Sequence, residues 1–181
     1  MFVKLRSAAL LGLSCMPVEV EVDINKGQTN FSIVGLTDTS IQEAKDRIHS
    51  AIKNSGYSYP FNFRILVNLA PANIHKEGPS YDLPMAVGII LASLEKNISI
   101  ADHIILGELA LDGSLRQISG VLPIALFAKE NGFKGIIIPE QNAVEASLVR
   151  DIKILPAKNL QEVIEHLLEK NKIEQFKKPI M

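Results

Sequence analysis

Asn68–Ala92, NLAPANIHKEGPSYDLPMAVGIILA, carries the chain from a strand through a polar loop into a buried helix. Its first residues close the run Phe61–Leu69. There Phe61, Phe63, Ile65, Val67 and Leu69 alternate with Asn62, Arg64 and Asn68, as in a strand with one buried face. Ala70–Ser80 is rich in proline, glycine and charge and reads as a loop. A helix is expected from Asp82 to about Lys96, with Pro84 in its first turn. Its body, MAVGIILASL, is apolar nearly all round, which places it between other elements.

Upstream, Phe2–Leu13 and Val18–Asn25 read as strands, followed by a turn at Lys26 and Gly27 and a third strand, Phe31–Gly35. Lys4 and Arg6 followed by SAALLGLSC imitate a short secretory signal. The apolar run passes directly into alternating Val18, Val20, Val22 and Ile24, which favours a strand. A first helix starts near Asp38, Thr39 and Ser40, and Ser40 with Glu43 has capping-box spacing. Ile41, Ala44, Ile48, Ala51 and Ile52 then share one helical face, and Gly56 suits the stop.

Downstream, His103–Leu111 reads as one strand, Asp112–Gly120 as a turn with a short strand, and Leu122–Asn131 as a helix closed by Gly132. Gly135–Pro139 is a short buried strand, Asn142–Arg150 a helix, Ile152–Leu155 a strand, and Asn159–Lys170 the last helix. That helix turns Leu160, Val163, Ile164 and Leu167 inward. From Asn171 the pattern dissolves into a polar tail with Lys172, Lys177, Lys178 and Pro179. Strands that cluster first and later alternate with helices predict one mixed α/β sandwich.

The chain has 181 residues, the usual size of one domain. Its net charge of −1 gives no field to gather nucleic acid or acidic membrane, so any polyanion contact is local. The only cysteine is Cys15, which excludes an internal disulfide. No run reaches the roughly 18 apolar residues of a membrane span. His49, His75, His103 and His166 are scattered, and no metal site is expected. Neither phosphate-binding glycine motif is present.

Lys76, Glu77, Gly78, Ser80 and Asp82 make the candidate binding loop. A Gly-Pro-Ser at a helix entrance offers backbone N–H groups and a hydroxyl to one point. The competing reading is structural: Ser80 or Asp82 caps the helix, Pro84 starts it and Gly78 turns the chain. Lys76, Arg64 and Arg116 are candidate phosphate contacts, against the alternative of a solvated basic face.

HKEGPS resembles the Lon-type peptidase motif, whose nucleophile would be Ser80, and GELALDGSLRQISGVLPIAL resembles the second Lon motif. The lysine that acts as base in that motif falls on Leu122, and neither Lys76 nor Lys129 replaces it convincingly. Tyr81 and Asp82 also replace the small residues that usually follow the Lon serine.

A closer resemblance covers nearly the whole chain. SAALLGL, PVEVEVDINKG, FSIVGLTDTSIQEAKDRIHSAIKNSGY and VNLAPANIHKEGPSYDLPMAVGII are similar to the N-terminal domain of magnesium-chelatase-like AAA+ ATPases, the ComM competence family of bacteria. The resemblance implies a two-layer sandwich of the Lon proteolytic domain and GHMP kinase type at residues 1–170, with 171–181 starting a linker to an AAA+ domain. It further implies a non-catalytic fragment without a cofactor of its own, in a cytoplasmic protein that uses ATP and Mg2+. The partners it implies are the protein's own ATPase domain, neighbouring subunits of a homo-hexamer and branched DNA, with no membrane. Nothing in these residues supports a porphyrin pocket. Two other readings stay open: a Ser80-dependent peptidase with an unrecognised base, and a nucleotide phosphate at Gly78.

Overall fold

A computed structural model describes residues 1–96, 98 and 100–178. The chain opens with β1 (Phe2–Leu11), β2 (Ser14–Lys26) and β3 (Asn30–Val34). In β2, Val18, Val20, Val22 and Ile24 are buried and Glu19, Glu21 and Asp23 half-buried, so the alternation in sequence is the alternation in space. Helix α1 (Asp38–Asn54) buries Ala44, Ile48, Ala51 and Ile52. Its start corrects the capping-box reading. Thr37 stands at the cap, Ser40 lies inside the first turn with its hydroxyl 2.8 Å from that of Thr37, and Glu43 pairs with Arg47.

The strand read at Phe61–Leu69 is β4 (Phe63–Ala70). Asn62 has φ 62°, which turns the chain before the strand and leaves Phe61 57% exposed. A 3-10 turn at Pro79–Tyr81 leads into α2 (Asp82–Ser93), in which every residue from Asp82 to Ala92 is buried. The helix stops three residues short of Lys96, where the chain turns through Glu95 at φ 54°. The run read as one strand at His103–Leu111 is two. Strand β5 (Ile100–Ile105) lies in the main sheet, and β6 (Glu108–Leu109) pairs with β7 (Leu115–Arg116) in a separate ribbon.

Helix α3 (Val121–Glu130) and β8 (Gly135–Pro139) fall where the sequence puts them. The helix read at Asn142–Arg150 is a 3-10 turn, Glu140–Asn142, and a short α4 (Ala143–Ala146), ended by turn bonds and by Asp151 at φ 63°. Strand β9 (Lys153–Ala157) precedes α5 (Leu160–Leu167), whose Asn159 side chain accepts from the Glu162 N–H at 2.8 Å. Residues 171–178 form no helix or strand, yet Ile173 and Phe176 pack against the core.

The seven-stranded sheet runs β3-β4-β2-β1-β5-β8-β9, with β2 antiparallel to β4 and to β1, and parallel pairing elsewhere. Helix α2 packs on β1 and β2, flanked by α1 and α5. Leu5 and Val22 meet α2 at Gly88, whereas Leu10 meets Gly120 at the start of α3. Alternation along β1 therefore puts α3 on the opposite face. The result is the expected α/β sandwich, with α3 covering the second face near β2, β1 and β8. There β8 is buried along its whole length, as parallel strands covered on both faces are.

Candidate functional site

The loop after β4 is held by its own lysine. Lys76 is only 2% exposed and its ammonium donates to the carbonyls of Pro71 and, at 2.7 Å, Ile74. Burial lowers its pKa, but the two carbonyl acceptors are the partners a buried ammonium needs. The Lys76 carbonyl accepts from Thr37 N–H at 3.1 Å, which ties the loop to the start of α1. His75 and Glu77 stand 3.3 Å apart on the exposed side. Gly78 has φ 86° with open space where a Cβ would be, so the turn rather than crowding calls for glycine.

Gly107 clamps the entrance to α2. Its N–H donates to the Ser80 carbonyl at 2.9 Å and its carbonyl accepts from Leu83 N–H at 3.0 Å. A Cβ on Gly107 would lie 2.9 Å from Leu115 Cδ2 and 3.2 Å from Leu83 Cδ2. Asp82 points away from the loop. Arg47 donates Nε to its Oδ2 at 2.6 Å and Nη2 to its Oδ1 at 3.1 Å, and Leu109 N–H donates to Oδ2 at 3.2 Å. Burial pushes the Asp82 carboxyl up to about 6 while Arg47 pulls it back, and Asp82 raises the Arg47 pKa in return.

Ser80 opens onto a cleft of about 300 Å³. One wall is Ala8, Leu10, Leu11 and Gly12 of the first hairpin, another is Ser119 and Ile124 at the start of α3, and His75, Lys76 and Glu77 close it. Of the five loop residues singled out in the sequence, Lys76, Glu77 and Ser80 meet at this cleft. Gly78 supplies the turn, and Asp82 belongs to the ion pair behind it. Leu122 does not line the cleft. Among the described residues the Ser80 hydroxyl has no hydrogen-bond partner, and of the titratable side chains that line the cleft Lys76 is held by carbonyls and His75 stands against Glu77.

Arg64 sits apart beside Gln28, Thr29 and Asn30, and Arg116 lies exposed in β7, so the basic residues do not converge. Among the described residues no three His, Cys, Asp or Glu side chains gather as a metal site, and no helix is long and apolar enough to cross a membrane. The sequence reading missed Arg47. Its position, with Ala44, Ile48 and Ala51, puts a cation on the apolar stripe of α1, and a cation there calls for a buried carboxylate.

Residues 20–142 match the family described as subunit ChlI of Mg-chelatase. The chain belongs to this family. Within the wider set of similar proteins, it is 42% identical over 170 residues to the uncharacterized protein YifB of Escherichia coli (strain K12), covering 93% of this chain and 33% of YifB. It is 40% identical over 168 residues to the competence protein ComM of Haemophilus influenzae, covering 92% and 33%. Lon protease 2 of Bacillus subtilis is 29% identical over 177 residues, 87% of this chain and 31% of that protein. This ChlI-family chain thus spans about a third of the length of the curated relatives it matches.

Proposed function

We propose that this chain is a non-catalytic accessory domain of a magnesium-chelatase-like AAA+ ATPase. The longer cytoplasmic protein would be an ATP- and Mg2+-dependent, hexameric motor that drives branch migration of DNA in recombination or natural transformation. The domain serves assembly or substrate guidance. The observation that carries the reading is the Ser80 cleft, where no side chain among the described residues hydrogen-bonds the hydroxyl: Lys76 is committed to two carbonyls, His75 is paired with Glu77, and the Lon base position is Leu122. A serine hydroxyl without a positioned base is a poor nucleophile at neutral pH. The near-zero net charge supports a role beside DNA handling rather than as its main electrostatic contact.

A second reading, a Ser80-dependent peptidase, is favoured by the cleft itself and by the 29% identity to Lon protease 2. The two readings separate in the native-length protein isolated from its source cells. The accessory reading expects an intact mass more than twice 19.9 kDa and ATP-dependent processing of a four-way DNA junction that Ser80→Ala leaves unchanged. A native species of 19.9 kDa, or an intact motor that never moves a junction, contradicts it.

A further inference from the structure

Strand β9 is an edge of the sheet, and the segment after α5 runs back beside it. Phe176 N–H donates to the Ile154 carbonyl at 2.8 Å, and Ile173 N–H donates to His166 Nδ1 at 2.9 Å. The Ile173 and Phe176 side chains are partly buried against the core. We infer that His166 is a proton-operated latch: its neutral imidazole holds residues 171–178 against the sheet edge, and its imidazolium releases them.

The chemistry follows from which ring nitrogen does what. An accepting Nδ1 carries no proton, so the closed strap requires the neutral ring protonated at Nε2. Imidazolium donates at both nitrogens, and the Ile173 N–H would then face another donor. Burial lowers the His166 pKa most. His103 from β5, Lys172 from the strap and Lys153 from β9 add positive field in the same direction. Glu174 of the strap is exposed, and the other nearby carboxylates are engaged elsewhere. Asp102 holds His103 at 2.8 Å and Lys134 at 3.5 Å, Glu162 accepts from Lys158 N–H, Glu165 from Gln161, and Glu169 pairs with Lys172. Helix α2, packed on α5, carries only Asp82, which is committed to Arg47. The carboxyl-terminal end of α5 acts in the opposite direction.

The sign is that of a histidine whose folded pKa lies below its free value of 6.5. Closure contributes stability above pH 6.5, and that contribution is lost as pH falls through the lower folded value. A closed strap blunts the β9 edge. An open one frees the Ile154 carbonyl.

Backbone amide order of Ile173 and Phe176, read by the heteronuclear NOE of the 181-residue chain from pH 7.5 to 5, tests the latch. Both amides are expected to be rigid at the upper end and to become mobile with a midpoint below 6.5 that coincides with titration of the His166 ring. His166→Asn, whose Oδ1 stands where Nδ1 does and accepts without titrating, keeps both rigid throughout, and Ile173→Pro, which has no N–H, leaves Phe176 mobile at every pH. Amides that stay rigid while His166 is protonated overturn the inference. So does loosening at the same pH in His166→Asn.

Discussion

Asp82 shows how a single residue near a serine can belong to the scaffold. Its carboxylate sits at the start of α2, fully buried, with two bonds from Arg47 and one from Leu109. Removing one partner leaves the other's charge partly buried and unpaired, which costs roughly 3 kcal/mol, whereas removing both costs less than the sum. Urea unfolding of Asp82→Ala, Arg47→Ala and the double variant should show this coupling, and additive losses would mean that the pair is a surface contact. The sequence held half of this pair in view. Asp82 drew notice as a helix-start residue, but its partner lies 35 residues earlier on another helix, and helical spacing alone does not name which carboxylate a stripe-facing arginine meets.

At the scale of elements, legibility followed periodicity. The alternation of Val18, Val20, Val22 and Ile24 specified β2, and the all-round apolar body of α2 specified a helix buried on every side. His103–Leu111 misled because the apolar rhythm runs on through Leu106, whose N–H still bonds Ile137 of the neighbouring β8, whereas the backbone leaves the sheet at Gly107, whose N–H turns to Ser80. Those partners are distant in sequence, so no local pattern marks the break. The helix read to Arg150 stops at Ala146 because turn bonds at Leu148 and Val149 take over, a competition that residue type does not announce. The contact of α2 with the sheet is the tightest test of the packing. A Cβ on Gly88 would lie 2.5 Å from Val22 Cγ2 and 3.3 Å from Leu5 Cδ1. Gly88→Ala should therefore lose about 1 to 3 kcal/mol by overpacking, less the roughly 1 kcal/mol of helix propensity it gains. Val22→Ala in the same chain should recover part of that loss, as thermal unfolding of the two singles and the double would show.

For the whole molecule, the fold brings the first hairpin, the loop after β4 and the start of α3 around one hydroxyl, yet holds the Lys76 ammonium on carbonyls of its own loop and Arg47 on Asp82. The resemblance in sequence pointed to this cleft and to Leu122 at the base position. It did not reveal that Lys76 folds back into its own loop, because the carbonyls that hold it come from backbone geometry rather than residue type. The central claim is that the domain does no covalent chemistry at Ser80. Reaction of the wild-type chain and of Ser80→Ala with a serine-reactive phosphonate, read by intact mass, tests it most directly. The account predicts no adduct on either protein. An adduct on the wild type that Ser80→Ala abolishes would contradict it and make this cleft an active site.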